Sequence, residues 1–163
     1  MLQDKHVKLL QNLIKCKSVT PTNDGALELL SDYLKILGFK SQIKTFGDGS
    51  EEVMNLYSVL TSKADGKNLC FGGHTDVVPP GDIDQWSADP FDAIITNGIL
   101  YGRGAVDMKS SIISFIAAVE HYLKTKNPFG SISFLITADE EGPSIYGINP
   151  MIKWMYDHQI KER

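Results

Sequence analysis

His74 and Asp76 are spaced so that they could act together on a metal ion. Both residues directly follow the apolar run at residues 69–71, so they lie at the carboxyl end of a predicted strand, where open α/β sheets place their sites. Residues two apart in an extended segment share a face, so Asp76 could accept a hydrogen bond from one imidazole nitrogen of His74. The other nitrogen would then face a metal ion. Taken alone, this segment is more typical of a histidine satisfied within a loop.

Two further segments supply carboxylates at comparable positions. Asp107 follows the glycine-containing turn at residues 102–105 and precedes a predicted helix, so it lies at a loop-helix junction. Glu140 and Glu141 follow the apolar run at residues 132–136. Neighbouring residues leave a strand in different directions, so one glutamate can bind a metal ion while the other handles a proton. An isolated acidic pair is typical of a solvated turn, but three such segments together predict a metal site.

The donor set also predicts the kind of ion. One imidazole with several carboxylates and no thiolate suits zinc, cobalt or manganese better than calcium or an iron-sulfur cluster. The stretch between Lys67 and Arg103 holds five aspartates and neither lysine nor arginine, which favours a cation nearby. Two ions bridged by an aspartate could polarise a carbonyl and lower the pKa of a shared water to about 7. The sequence therefore indicates metal-assisted hydrolysis; the alternative of another class is a non-catalytic metal-binding or assembly module.

Other catalytic motifs fit the sequence less well. Gly102 and Gly104 could begin a dinucleotide fingerprint, but Asp107 stands where the third glycine is needed and would repel a pyrophosphate. The sequence contains neither a GxxxxGK[ST] phosphate loop nor a GxSxG nucleophile elbow. The remaining histidines lie in polar helical contexts and are predicted to be at the surface: His6, His121 and His158.

The elements that must position these residues alternate between helix and strand. Apolar residues at helical spacing predict four helices, at residues 9–14, 26–37, 108–123 and 150–158. β-prone runs predict strands at residues 53–60, 69–71 and 132–136. Asn97 and Gly98 tolerate positive φ and predict a tight hairpin within residues 93–101. Together they predict an α/β fold with helices packed on a mixed, mainly parallel sheet.

Composition favours one globular domain. Hydrophobic residues make up 42% of the 163 positions and charged residues 22%, enough to bury a core. The formal net charge of -4 lacks the basic excess that nucleic-acid binding requires. A membrane-spanning helix needs about 20 apolar residues, and no apolar run approaches this length. Residues 1–5 also lack a secretory signal pattern. We therefore expect a cytoplasmic protein with neither nucleic acid nor membrane as a partner.

Four segments together resemble the zinc-dependent aminoacylase and carboxypeptidase superfamily. In chain order they read Gly73-His74-Thr75-Asp76-Val77-Val78-Pro79-Pro80-Gly81-Asp82, then Trp86 with Pro90-Phe91, then Leu100-Tyr101-Gly102-Arg103-Gly104-Ala105-x-Asp107-Met108-Lys109, then Phe134-Leu135-Ile136-Thr137-x-Asp139-Glu140-Glu141-Gly142. Their order and their spread over the chain make the resemblance specific for the superfamily. The fold that it implies is a zinc exopeptidase-like catalytic domain, here incomplete.

The resemblance implies a role for each candidate residue. His74 would bind one zinc ion, Asp107 would bridge both ions, and Glu141 would bind the second. Asp76 would support His74, and Glu140 would be the general base and acid. The implied cofactors are two divalent metal ions, with zinc first and cobalt or manganese as alternatives.

The implied substrate is a small molecule. Within the superfamily, the run at residues 77–82 favours hydrolysis of N-succinyl-LL-2,6-diaminopimelate to succinate and LL-2,6-diaminopimelate, a step of bacterial lysine and cell-wall precursor synthesis. Acetylornithine deacetylases share most of the pattern and remain the alternative.

Superfamily members extend past the equivalent of His158. They add a Gly-Glu-Pro segment with another zinc ligand, an inserted dimerisation domain and a last stretch with a zinc-binding histidine. Residues 1–163 are therefore expected to be the amino-terminal part of the catalytic domain of a homodimeric enzyme, close to inactive alone.

Overall fold

The chain folds into helices and strands that the computed structural model describes over residues 3–62, 66–126, 128, 130–158 and 160. In this range the helices and strands follow in the order α1 (Asp4–Lys15), α2 (Ala26–Ile36), β1 (Lys40–Phe46), β2 (Val53–Thr61), β3 (Asn68–His74), β4 (Ile95–Thr96), β5 (Ile99–Leu100), α3 (Ser110–Thr125), β6 (Ser131–Thr137) and α4 (Ile148–Asp157). Short 3-10 turns lie at Gly49–Glu51 and Ile83–Gln85, and a kinked turn lies at Ala105–Lys109.

Four strands form a mixed sheet in the order β1-β2-β6-β3. The pair β3-β6 is parallel, whereas β1-β2 and β2-β6 are antiparallel. The α/β class with a mixed sheet is confirmed, but the expectation that parallel pairing predominates is wrong. A parallel pair needs a long crossover, which α3 supplies between β3 and β6, whereas only residues 47–52 connect β1 to β2.

The four predicted helices and the hairpin are confirmed, with shifts of one to five residues at the helix boundaries. Asn97 and Gly98 adopt φ values of 53° and 78° and join β4 to β5 as an antiparallel pair. Helix α3 begins at Ser110 rather than at residue 108, because Asp107 and Met108 have non-helical backbone angles. Among the described residues, no helix is both long and apolar enough to cross a membrane.

Helices cover both faces of the sheet. Phe134 and Ile136 of β6 are fully buried and pack with the buried apolar side chains of α1, α2 and α3. Leu135 points to the other face, where Tyr57 and the α4 residues Met151 and Met155 form a second cluster. This alternation places β6 at the centre of the fold, between side chains packed on both faces of the sheet.

His6 corrects one expectation about the histidines. The sequence predicts a surface residue, but His6 is only 2% exposed. Its Nε2 lies 2.9 Å from Oε2 of Glu120 in α3, so the partner that makes burial tolerable is 114 residues away. His121 and His158 are exposed, as predicted.

Candidate metal centre

Two parallel strand ends bring the first candidate residues together. In the register of β3 and β6, His74 is the partner of Thr137, so both strands end at the same level. The amide of Thr75 donates to the carbonyl oxygen of Thr137 at 2.9 Å, which continues the pairing by one residue. The segments carrying Asp76 and Glu140 therefore emerge side by side, as the strand-end argument predicts.

His74 is buried and oriented by the backbone. Its Nδ1 lies 3.0 Å from the carbonyl oxygen of Asp76, which can only accept, so Nδ1 carries the hydrogen. Its Nε2 lies 3.2 Å from Oδ1 of Asp107 and 3.7 Å from Oε2 of Glu140. The Asp76 carboxylate is farther away, 3.5 Å from Nδ1, so the backbone oxygen of Asp76 is the nearer support for the ring.

The carboxylate of Asp76 performs a task that sequence reasoning missed. It is fully buried and accepts hydrogen bonds from two backbone amides, Glu140 at 3.0 Å and Glu141 at 2.9 Å. These bonds connect the end of β3 to the segment after β6. Asp76 thus positions both glutamates as well as the histidine.

Asp107 reaches His74 because glycine allows a close approach of the backbone. Gly104 has φ 75°, and a Cβ at this position would collide with Cγ1 of Val77. A Cβ on Gly102 would lie 2.6 Å from Cγ2 of Ile14. The side chain of Asp107 is 75% exposed, so it faces the open side of the centre.

Glu140 and Glu141 complete a group of donors with metal-site spacing. One ligand atom from each of His74, Glu140 and Glu141 lies within 4.8 Å of the others. Asp139, for which the sequence suggested no role, is buried, and its carboxylate accepts from the amides of Ser144 and Tyr146, both at 3.1 Å. These two bonds hold the turn that follows the glutamates.

Negative charge is in surplus at the centre. Burial raises the pKa of Glu141, and the charges of Asp107, Glu140 and Asp76 raise it further, against the opposing effect of His74. Burial lowers the pKa of His74, but hydrogen bonds and charge from Asp76, with the charge of Glu140, outweigh it and raise the value to about 9. A divalent cation would compensate this negative charge in place of the proton on His74, and an imidazole with carboxylates is a donor set that suits zinc. The residues present therefore fit a metal ion.

A cavity of about 480 Å³ adjoins this centre. Its wall combines Asp107 and Glu141 with Val77, Val78 and the turn around Arg103. The guanidinium of Arg103 lies over the ring of Trp86, 5.3 Å from its centroid, and donates to the carbonyl oxygen of Pro80 at 3.3 Å. A small molecule could therefore reach the candidate ligands from this side.

A family of peptidases matches this chain. A model of peptidase family M20/M25/M40 matches residues 70–162, a range that contains all five candidate residues. The chain belongs to this family, which confirms the superfamily resemblance. The family, which includes a metallo-carboxypeptidase, implies divalent metal ions.

Curated proteins similar to this chain narrow the class further. Two relatives called succinyl-diaminopimelate desuccinylase, from Ehrlichia canis (strain Jake) and Rickettsia felis (strain ATCC VR-1525 / URRWXCal2), are each 49% identical to this chain. The matches cover 95% and 96% of this chain, but 40% and 41% of the relatives. The chain thus spans about two fifths of the length of these curated relatives.

Solved structures share the fold over nearly the whole chain. Human carnosine dipeptidase 1 has a TM-score of 0.81 at 25% identity, covering 98% of this chain and 36% of its own. An M20 family metallo-carboxypeptidase from Sulfolobus solfataricus, Sso-CP2, has a TM-score of 0.82 at 24% identity, covering 99% and 36%. The zinc exopeptidase-like fold expected from the sequence is therefore confirmed.

Proposed function

We propose that these residues are the amino-terminal part of the catalytic domain of an enzyme that hydrolyses N-succinyl-LL-2,6-diaminopimelate to succinate and LL-2,6-diaminopimelate. The observation that carries the proposal is the convergence of His74, Glu140 and Glu141 within 4.8 Å, with Asp107 3.2 Å from His74, in a chain 49% identical to proteins named for this reaction. The centre supplies hydrolytic chemistry, and the relatives suggest the substrate.

The proposed centre uses two divalent ions, zinc first, with cobalt or manganese as alternatives. His74 would hold one ion through Nε2, Asp107 would bridge both, and Glu141 would hold the second. When bound, the ions would polarise the amide carbonyl and lower the pKa of a water to about 7. Asp76 keeps its carboxylate on the amides of Glu140 and Glu141, so both glutamates enter the reaction already placed.

Glu140 is the residue proposed to move the proton. Its side chain is 58% exposed and its Oε2 lies 3.7 Å from Nε2 of His74, so it can reach a water beside the ions. It would accept the proton of the attacking water and deliver it to the nitrogen of the departing amine. Glu141, partly buried and repelled by the other carboxylates, gains more from contact with a cation. This difference favours Glu141 as the ligand and Glu140 as the base.

The experiment is a substrate comparison on the full-length, zinc-loaded protein. Succinate release from N-succinyl-LL-2,6-diaminopimelate is expected to exceed acetate release from acetylornithine by at least about 10²-fold in kcat/KM. The alternative assignment, an acetylornithine deacetylase or related aminoacylase, predicts the reverse order. Metal binding with hydrolysis of neither substrate would instead support the non-catalytic module.

Two finer features belong to the same proposal. The full-length protein is proposed to be a homodimer through a domain outside residues 1–163, and to work in the cytoplasm. Light scattering of the purified full-length protein tests the first, with twice the monomer mass as the expected result. Fractionation of the producing cells tests the second, with activity expected in the soluble cytoplasmic fraction.

A further inference from the structure

Asp107 lies on a segment that no strand holds in place. Its side chain is 75% exposed and touches His74 at 3.2 Å, while the backbone at Asp107 and Met108 is neither helical nor paired in the sheet. The position of its carboxylate therefore depends on how the chain is anchored on either side. A metal ligand that is not anchored loses affinity, because binding must then order it.

Lys109, two residues further on, is anchored in the interior. It is fully buried, and its Nζ donates to the carbonyl oxygens of Leu13 at 2.9 Å and Cys16 at 3.1 Å. Its backbone amide donates to the carbonyl oxygen of Gly104 at 3.0 Å, which closes the turn around Asp107. Of the two carbonyl groups that accept from the Lys109 side chain, that of Leu13 lies in the last turn of α1 and that of Cys16 directly follows the helix.

The end of α1 is a favourable partner for a buried cation. The last carbonyl groups of a helix have no partner within the helix and carry partial negative charge. Burying an ammonium group is costly unless it is hydrogen-bonded, so the buried Lys109 side chain must keep these two hydrogen bonds. The ammonium is thus a fixed connection between α1 and the turn that carries Asp107.

The same helix also supports the other side of the turn. Gly102 packs against Ile14 so closely that a Cβ would lie 2.6 Å from its Cγ2. Residues 102 and 109 are therefore both held against the end of α1, one by packing and one by hydrogen bonds. Asp107 lies between these two supports.

We propose that Lys109 is a positioning residue that holds Asp107 ready for metal binding by bonding the end of α1. The inference rests on the proposed metal centre. Lys109 touches neither ion nor substrate in this assignment. Without the two hydrogen bonds of the Lys109 side chain, metal binding must also order the Asp107 carboxylate. The contacts that hold His74 and Glu141 are unaffected.

The test replaces Lys109 in the full-length protein and measures the metal-free and the metal-bound states separately. Lys109→Met keeps the length of the side chain and removes the charge and the donors. Zinc affinity, measured by competition with a chelator, is expected to fall about 10- to 100-fold, the usual cost of losing a residue that orients a ligand. In the metal-free protein, amide hydrogen exchange is expected to rise at residues 104–108 more than in β6.

Matched variants separate positioning from a general loss of stability. Lys153→Met removes an exposed lysine of α4 and should leave both measurements unchanged. Lys109→Arg keeps the charge and donors and should recover part of the affinity. Should Lys109→Met not fold, Lys109→Gln, which keeps one amide donor, takes its place in both measurements.

The outcomes distinguish this inference from the proposed function. A folded Lys109 variant with wild-type zinc affinity and wild-type exchange at residues 104–108 overturns the positioning role, whatever its melting temperature. A wild-type protein that binds no zinc overturns the metal centre on which the inference rests. Zinc binding without hydrolysis of the proposed substrate leaves the positioning role supported and the proposed reaction rejected.

Discussion

Two clusters in this protein combine a buried histidine with carboxylates, and they are built in opposite ways. In the first, Glu120 of α3 accepts from the ammonium groups of Lys5 and Lys124, from Nε2 of His6 and from the hydroxyl of Tyr33. In the second, His74 at the end of β3 faces the acidic side chains of Asp76, Asp107 and Glu140. The first cluster surrounds one carboxylate with donors, whereas the second surrounds one imidazole with carboxylates.

The charge balance of each cluster is reflected in its pKa values. Burial raises the pKa of Glu120, but its four hydrogen-bond donors outweigh burial and lower the value to about 2. Burial and neighbouring carboxylates raise the pKa of Glu141 instead. The Glu120 cluster is satisfied by the protein alone, whereas the surplus of carboxylates around His74 supports the proposal that a cation binds there.

The two imidazoles differ in the same way. Nδ1 of His6 accepts from the amide of Gln3 at 3.1 Å and Nε2 carries the hydrogen toward Glu120, so both nitrogens are used inside the fold. Nδ1 of His74 donates to the backbone, which leaves Nε2 toward the acidic side chains at the cavity. Hydrogen bonding of the second nitrogen thus decides which histidine can be a ligand.

The largest expected difference between the clusters is in turnover. Glu140→Gln removes the proposed proton acceptor but keeps the shape of the side chain, so kcat of the full-length enzyme should fall about 10²-fold or more with metal content nearly unchanged. The matched change in the other cluster, Glu120→Gln, should leave kcat of the folded enzyme within about twofold. Steady-state kinetics with metal analysis of each variant measures both.

A third variant makes this comparison more demanding. Glu141→Gln should weaken metal binding, because it removes a proposed ligand rather than the base. Equal metal loss in Glu140→Gln and Glu141→Gln would contradict the division of roles between the two glutamates.

Zinc should stabilise the protein through the His74 centre only. At a zinc concentration of 100 Kd, the free energy of unfolding is expected to rise by about 2.7 kcal/mol, provided that the unfolded chain does not bind zinc. His74→Ala should abolish this gain, whereas His6→Ala should retain it from a lower starting stability. Chemical unfolding with and without zinc gives the values. An equal loss of the zinc-dependent gain in both variants would show that zinc does not act through the His74 centre alone.

Stability without metal should depend more on the Glu120 cluster. Glu120→Gln replaces a carboxylate that accepts four hydrogen bonds, so unfolding free energy should fall by about 1–3 kcal/mol. Glu52→Gln alters an exposed glutamate and is the control. Urea unfolding of metal-free protein measures the difference, and equal stabilities would show that the Glu120 contacts contribute nothing net.

The smallest expected effect is on pH dependence: on acidification, the contributions of Glu120 and Glu141 to the free energy of unfolding should change in opposite directions. Glu120 has a folded pKa of about 2, below the usual 4.5, so its stabilisation is present above pH 4.5 and lost as pH falls toward 2. Glu141 has a raised pKa, so its ionisation costs stability at neutral pH and this cost disappears on acidification. The free energy of unfolding of the metal-free protein is measured from pH 7 to pH 3. In Glu120→Gln it should fall less steeply at acid pH than in the wild type, and Glu141→Gln should be more stable than the wild type at pH 7. The same pH profile in both variants would refute the contrast.

The sequence by itself determined the local elements and the class of protein. Helices α1 and α2 were predictable because apolar residues recur at helical spacing before Gly38, and the hairpin because Asn97 and Gly98 tolerate positive φ. The four motif segments identified the superfamily, because residue types at short spacing are visible in one dimension. His74 and Asp107 could be named as candidates for the same reason.

Only the tertiary structure decided which residues are partners. β1 escaped prediction because its mostly polar, half-exposed residues lack a clear apolar alternation, and its antiparallel pairing with β2 made the sheet less parallel than expected. The burial of His6 depends on Glu120, and the task of Asp76 depends on amides 64 and 65 residues away. Lys109 meets the end of α1 across more than 90 residues. Such contacts form when distant segments pack, and local spacing does not predict them. The fold alone therefore separates a cluster whose hydrogen bonds are satisfied from a candidate metal centre.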